Sequence, residues 1–395
     1  MILCKEKAVF KKVHVFASEG VMEKTKRQSN FELLRIFAMF MIILHHIQVH
    51  GSQVLLTADS GYFAQPIIYL RLLVFEIGVP LGRIGNGLFI MISGYFMNAN
   101  DHIDTGKIAK KLLLQLGFAT VVLLIANSVW NTFPESGTLS LSASAIGEFN
   151  SGWWFIGYYF FVIIFAKLFL NGFTAKLSLA QFKTLLLTIL ALSQFGWSGT
   201  LLESLATGLR VLAIGIFYFL LGGYIARYNP FKNLRTYALI LAIAAAYAVR
   251  FLSQYNIVSE SIDSFIKSGS AGVLNFKQSV QGCSNYDITA VIIAICIFEL
   301  FRRLKIQNNA VINFAAKSTL MIYLIHDNDF YRSIFRNSED WMRSLSDSCL
   351  LYCLKWFKWA LITFAVGLAA YGLYTLLGKL LPRIRSWFVV QEPSE

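Results

Sequence analysis

Residues 31–51, FELLRIFAMFMIILHHIQVHG, form an apolar run that holds both an arginine and a histidine. A bilayer crossing needs about 20 mostly apolar residues, so the run is long enough to span. Inside lipid the backbone must satisfy its own hydrogen bonds, which makes the segment a helix. Arg35 and His46 stand eleven positions apart. At about 100° per residue that step is three turns plus about 20°, so the two side chains share one face, about 16.5 Å apart along the axis. An intramembrane cation costs roughly 2.5–3.5 kcal/mol on insertion scales and is seldom idle. A proton-handling imidazole near one surface and a fixed cation near the other point to chemistry across a membrane.

The pattern continues along the chain. Of 395 residues, 56% are hydrophobic and 14% charged, and the mean hydropathy is +0.58; a soluble domain carries about 25% charged residues. The sequence predicts an all-α polytopic membrane protein with ten spans, near 31–50, 80–98, 110–131, 153–171, 181–198, 208–227, 235–254, 286–302, 310–327 and 354–378. The stretch 64–78 is apolar but holds Arg71 and Glu76, and reads as an interfacial or lead-in helix. Alternate connections, counted from the N-terminus, contain 22 Lys and Arg; the other set contains 6. The positive-inside rule then puts both termini in the cytoplasm and requires an even number of spans. It also accounts for the net charge of +13, so nucleic acid is not an expected partner; the lipid bilayer is.

Residues 1–30 form a basic cytoplasmic segment without a signal-peptide core, and Met22 opens a compact start to the first helix. Residues 379–395 form a cytoplasmic tail. The cysteines Cys4, Cys283, Cys296, Cys349 and Cys353 lack metal-ligand spacing. Cys349 and Cys353, one turn apart, can be neighbours.

Candidate chemistry sits on four helices. Glu32 lies three residues before Arg35 and can pair with it. That guanidinium can bind a phosphate or carboxylate bidentately, or serve as a snorkelling anchor. His46 and His50 face the same way. They can hold a metal, but no carboxylate or cysteine lies near in sequence to complete a site, and no metal is expected. Imidazole as a general base suits neutral pH better; a structural hydrogen-bonding role is the other reading. On the second span, Arg83 is another embedded cation, while Ser93 and Gly94 offer a hydrogen bond and close helix packing. His326 ends the ninth span, followed by Asp327 and Asp329, so it converges with His46 on one side. Trp153 and Trp154 mark a boundary, as an aromatic belt or as a platform for a sugar face, with Glu148 just before them.

Together these residues resemble the acyltransferase 3 family of integral-membrane acyltransferases that modify bacterial polysaccharides. The family's acidic residue, Leu-Arg and His eleven positions later match Glu32, Leu34-Arg35 and His46. Its aromatic pair before Ser-Gly appears as Phe89, Ile90 and Ser93-Gly94, with the second aromatic replaced. Arg83 matches a branch's Arg ten residues before that Ser. Trp154, Phe155 and Tyr159 match Trp-Phe-x-x-x-Tyr; FLLGGYIARY, 219–228, resembles the Leu-Gly-x-Tyr helix; Tyr323, Leu324 and His326 match the late Tyr-Leu-x-His. Departures are Gly87 at a polar or Pro position and Lys167 at a frequent Pro.

The resemblance implies that residues 31–378 form the acyltransferase domain. It implies transfer of an acyl group, most often acetyl, from acetyl-CoA to a hydroxyl of a free or lipid-linked surface polysaccharide or exopolysaccharide at the bacterial cytoplasmic membrane, with no bound cofactor. His46 would be base or nucleophile. Arg35 and Arg83 would hold donor phosphates or stabilise charge, His326 would position the acceptor or relay a proton, and Ser93-Gly94 would shape the acyl passage. The rival class is a transporter or flippase of a glycan or small metabolite, which intramembrane cations and glycines also suit.

Overall fold

In the computed structural model the described residues are 27–52, 67–98, 103–130, 132, 153–194, 203–268 and 287–388. Cys4, Met22, Glu148, Cys283 and residues 389–395 lie outside them. Every described element is helical. In chain order they are α1 (Ser29–Ile47), α2 (Ile67–Arg71), α3 (Phe75–Gly78), α4 (Leu81–Met97), α5 (Thr105–Trp130), α6 (Trp154–Phe165), α7 (Asn171–Ala175), α8 (Leu179–Gln194), α9 (Glu203–Tyr228), α10 (Thr236–Ser268), α11 (Ile288–Arg303), α12 (Ala310–Lys317), α13 (Thr319–His326), α14 (Asp329–Asn337), α15 (Trp341–Asp347) and α16 (Cys349–Phe388).

Each of the ten predicted spans has a helical counterpart. Seven are long and apolar enough to cross a membrane: Ser29–Ser52, Leu72–Met97, Thr105–Trp130, Trp154–Ala175, Val211–Tyr228, Thr236–Tyr255 and Cys349–Leu380. Leu179–Ser193 and Ala310–His326 are shorter apolar helices, and α11 has 16 residues. The chain is an all-α polytopic membrane protein.

The stretch expected as a lead-in helix becomes α2, a 3-10 turn and α3, which run into α4. Its two charges find partners made by distant segments. Glu76 is 1% exposed and takes Arg250 Nη2 at 2.9 Å on Oε2; Arg250 also pairs with Asp287, the N-cap of α11. Arg71 donates to the carbonyls of Leu345 and Ser346 at the end of α15. Paired in this way, the charges are tolerated at membrane depth.

Contacts fix the direction of each helix. Gly82 packs on His45 and Gly85 on Ala38, while Phe31 meets Tyr95 at 4.7 Å between ring centroids; α4 is therefore antiparallel to α1. Helix α9 runs parallel to α4, with the two backbones in close approach. A Cβ on Gly94 would lie 1.9 Å from the Phe219 carbonyl, and one on Gly222 2.1 Å from the Met91 carbonyl. Only glycine permits that approach on both sides. Helix α16 is antiparallel to α1, since Tyr352 meets Ser52 and Trp356 donates to the Leu44 carbonyl. Arg27 lies within electrostatic reach of Tyr371, so both ends of the described chain emerge at the end of the bundle that holds Arg35.

Helix α5 buries little of its surface. Leu113, Val121 and Ile125 face outward, as lipid contact requires. Its buried residues are Gln115, Ala119, Leu123 and Asn127, at four-residue steps.

Candidate active site

Two polar clusters lie at opposite ends of α1, which is pinned at both. Near its start, Ser29 Oγ bonds Asn313 Oδ1 at 3.0 Å, and Asn30 donates to the carbonyls of Phe301 and Arg302. Near its end, Trp356 Nε1 donates to the Leu44 carbonyl at 2.7 Å, and Gln48 Nε2 to the Phe75 carbonyl at 3.0 Å. These bonds set the height and rotation of the face that carries Arg35 and His46.

At the His46 end, the convergence read from sequence is present as a hydrogen bond: His46 Nδ1 and His326 Nε2 are 3.0 Å apart. The proton positions follow from the network. His326 Nδ1 lies 2.6 Å from the Ile322 carbonyl, which only accepts, so that nitrogen carries the proton. With His326 neutral, its Nε2 is a lone pair and accepts from His46 Nδ1–H. His46 Nε2 is then left as the basic nitrogen of the pair. Asp327 Oδ1 also lies 3.4 Å from His46 Nδ1.

Asp327 is 1% exposed and is held by Arg332, whose Nη2 donates to Oδ1 at 2.5 Å, and by a hydrogen bond with Tyr323. The segment His326-Asp327-Asn328-Asp329 explains how the carboxylate arrives there. Asn328 ends α13 and starts α14 at once: its Nδ2 donates to the Ile325 carbonyl at 2.7 Å, and its Oδ1 caps the Tyr331 amide at 2.9 Å. The chain turns between the two, and Asp327 is left directed at the imidazole pair. Asp327 was read from sequence only as a neighbour of His326; Arg332 was not singled out.

His50 follows one turn on, its ring 5.6 Å from that of His46, and its carbonyl accepts from Arg336 at 2.8 Å. Among the described residues no group of three or more His, Cys, Asp or Glu is arranged to hold a metal ion.

At the Arg35 end, Arg35 Nη1 donates to Glu32 Oε1 at 2.8 Å, the pair that the i,i+3 spacing predicts, and Arg27 shares the same oxygen at 3.2 Å. Lys111 lies within electrostatic reach of Arg27, Arg35 and Lys317. Beside it a cleft of about 500 Å³ is lined by Lys107, Lys110, Lys111, Ile108, Leu114 and Tyr374. These lysines entered the sequence reading only as topology charges. Between the ends, Met39 and Ile42 of α1 share an apolar cluster with Ala119 and Leu123 of α5 and Tyr323 of α13. Gln115 Oε1 and Asn127 Oδ1 on α5 are buried with no hydrogen-bond partner among the described residues.

The remaining candidates divide by place. Arg83 does not join Arg35. The antiparallel packing of α4 puts it at the His46 end, beside His45. Ser93 Oγ donates to the Phe89 carbonyl at 3.0 Å and bonds the Tyr159 hydroxyl at 2.9 Å, which ties the Ser-Gly and Trp-Phe-x-x-x-Tyr segments together. Gly94 lies at the α4–α9 backbone contact. The two tryptophans separate: Trp153 is buried and donates to the Leu324 carbonyl at 3.1 Å, holding α6 against α13, whereas Trp154 is 42% exposed.

An imidazole relay at one end of a membrane helix and a basic cleft at the other define the class as an integral-membrane acyltransferase once the comparison with known families is added. A family model described as an acyltransferase domain matches residues 28–378. The chain belongs to the acyltransferase 3 family. No curated protein and no solved structure matches it.

Proposed function

We propose that the protein transfers an acetyl group from acetyl-CoA to a hydroxyl of a cell-surface polysaccharide or exopolysaccharide, free or lipid-linked, at the bacterial cytoplasmic membrane. The observation that carries this reading is the His46–His326 hydrogen bond, with the Arg332-bound carboxylate of Asp327 3.4 Å from His46 Nδ1. It leaves His46 Nε2 basic at the far end of the helix from Arg35.

The orientation is the one the charge asymmetry favours, with the Arg35 end cytoplasmic. Arg35 and the lysine cleft then face the donor's phosphates, where a guanidinium gives bidentate contacts and ammonium groups give point charges. The acyl-bearing arm passes beside Met39, Ile42, Ala119 and Leu123, with Ser93 and Gly94 holding the α4 wall of that region. At the far end His46 Nε2 takes the acceptor's hydroxyl proton. The hydroxyl oxygen forms its bond to the acyl carbon as the carbon–sulfur bond breaks, and the thiolate leaving group regains the proton. Asp327, oriented by Arg332 and Tyr323, stabilises the imidazolium that forms in between. Arg83, at this end, serves the acceptor side, with Trp154 as a sugar platform.

The test is transfer by the purified chain in lipid vesicles. Radiolabelled acetyl-CoA is supplied on one side, the host's surface glycan is the acceptor, and the glycan's O-acetyl content is read by proton NMR. Label in the glycan, lost with His46→Ala, supports the reading. Glycan crossing the vesicle membrane without acetyl-CoA consumption would instead establish the transporter.

A further inference from the structure

A second hollow lies outside the imidazole relay, between α4, α6 and α9. Arg83 and Asn86 enter it from α4, Trp154 and Tyr158 from α6, and Tyr218 from α9. Its walls are fixed: Tyr158 donates to the Val211 carbonyl at 2.8 Å, and the Tyr218 ring packs on Gly87. The enclosed space is about 20 Å³, room for one small polar group, since a single water needs roughly 10–15 Å³. A pyranose ring cannot enter. Trp154, 42% exposed, stands at the rim and offers a flat apolar surface.

The hollow connects to the relay through rings in contact. Trp154 and Phe155 are 5.9 Å apart, Phe155 and Tyr323 6.1 Å, and Tyr323 and His326 6.1 Å. The charge at this end of the bundle is also lopsided. Arg83 lies near His45, and Arg332 and Arg336 lie near His50. In the orientation proposed above, all three arginines stand on the side where Lys and Arg are normally sparse.

We propose that this hollow is a subsite for the carboxylate of an acidic sugar, so that the acceptor is an anionic glycan. The ring bearing the carboxylate lies on Trp154, and the glycan continues from there toward His46. The inference rests on the acyltransfer reading for the identity of the ligand as acceptor. Arg83 supplies the matching fork: a guanidinium has five N–H donors, so contacts within the protein and a bound carboxylate are compatible. The small enclosed space selects the carboxylate itself, and the exposed indole takes the ring.

The experiment uses the full chain in lipid nanodiscs, with methyl β-glucuronide and methyl β-glucoside as probes, read by tryptophan fluorescence and thermal shift. Wild type is expected to bind the glucuronide at least tenfold more tightly. Arg83→Gln abolishes that preference, and Arg83→Lys keeps part of it. Trp154→Ala, a change at an exposed position, weakens glucuronide binding several-fold and covers the case in which Arg83→Gln does not fold. Equal binding of the two glycosides, or preference intact in Arg83→Gln, overturns the subsite. So does protection by acetate as strong as by glucuronide, or a stronger response to glucose 1-phosphate. Acetyl-CoA consumption is followed in parallel. An Arg83-dependent preference with no acyl transfer to any glycan removes the transferase reading and leaves an acidic-sugar site. Transfer to neutral and acidic acceptors alike by the wild type removes the subsite and leaves the enzyme.

Discussion

The two ends of α1 are built on opposite plans. At the His46 end, four side chains interlock within 2.5–3.4 Å, and His326 and Asp327 are almost wholly buried. At the Arg35 end, one buried carboxylate serves two half-exposed arginines, and lysines line an open cleft. A proton relay works only if its geometry is fixed in advance, because each tautomer depends on the next hydrogen bond. A site that grips a charged, flexible donor needs reach and charge more than fixed geometry. The difference is the one that the proposed function asks of a chemical end and a gripping end.

That contrast can be broken in a graded series. The largest effect belongs to His46→Ala, expected to lower kcat by about 10²–10⁴-fold while the affinity for acetyl-CoA, read by equilibrium binding, stays within twofold. Loss of donor binding instead would mean that the two ends are not separable. Next, Asp327→Asn removes the buried carboxylate charge that Arg332 holds, while Arg332 keeps Asp329 as a partner. It is expected to cost about 1–3 kcal/mol of stability, read as a lower Tm in detergent, together with reduced kcat. Unchanged stability would show Asp327 to be a bystander. Third, Arg35→Gln should raise the KM for acetyl-CoA by roughly 10–100-fold, the size of a lost charged hydrogen bond, with kcat kept; Arg35→Lys should recover part. A fall in kcat at saturating donor would place Arg35 in the chemical step.

The smallest effect lies in the segment that follows the relay. Partial desolvation raises the Glu339 carboxyl, but hydrogen bonds from Lys358, Lys355 and Trp359 outweigh this and hold it below the usual carboxylate range. A depressed carboxylate stabilises the fold above its unfolded pKa, and the contribution disappears as the pH falls through the lower, folded value. Wild type should therefore exceed Glu339→Gln in Tm at pH 7, and the gap should close under acid. A gap that widens under acid would reverse the assignment.

Much of the chemical end was legible because it depends on spacing. The eleven-residue step put Arg35 and His46 on one face, three residues separated Glu32 from Arg35, and the alternation of charge brought His326 to the side of His46. What escaped was set by tertiary packing. The Arg332–Asp327 pair depends on a turn that Asn328 makes by bonding in both directions. Arg83 was grouped with Arg35 as a donor contact, but antiparallel packing of α4 carries it to the other end. Trp153 and Trp154 look alike in sequence; which one is buried depends on the Leu324 carbonyl, 171 residues away. The partner of Glu76, Arg250, comes from a helix far along the chain, and Asp287, which shares that guanidinium, caps another.

The paired glycine contacts between α4 and α9 have a mechanical consequence. Two helices whose backbones touch at Gly94 and Gly222 have no side-chain cushion to compress and no room to slide. Because Gly85 also seats α4 on α1, where a Cβ would lie 2.7 Å from the Ala38 carbonyl, the three helices are keyed together as one plate. Helix α5 is held differently: it is buried only along Gln115, Ala119, Leu123 and Asn127, and its Gly117 faces open space. A donor arm of the kind proposed would find side chains to displace along α5, and none along the keyed backbones of the plate.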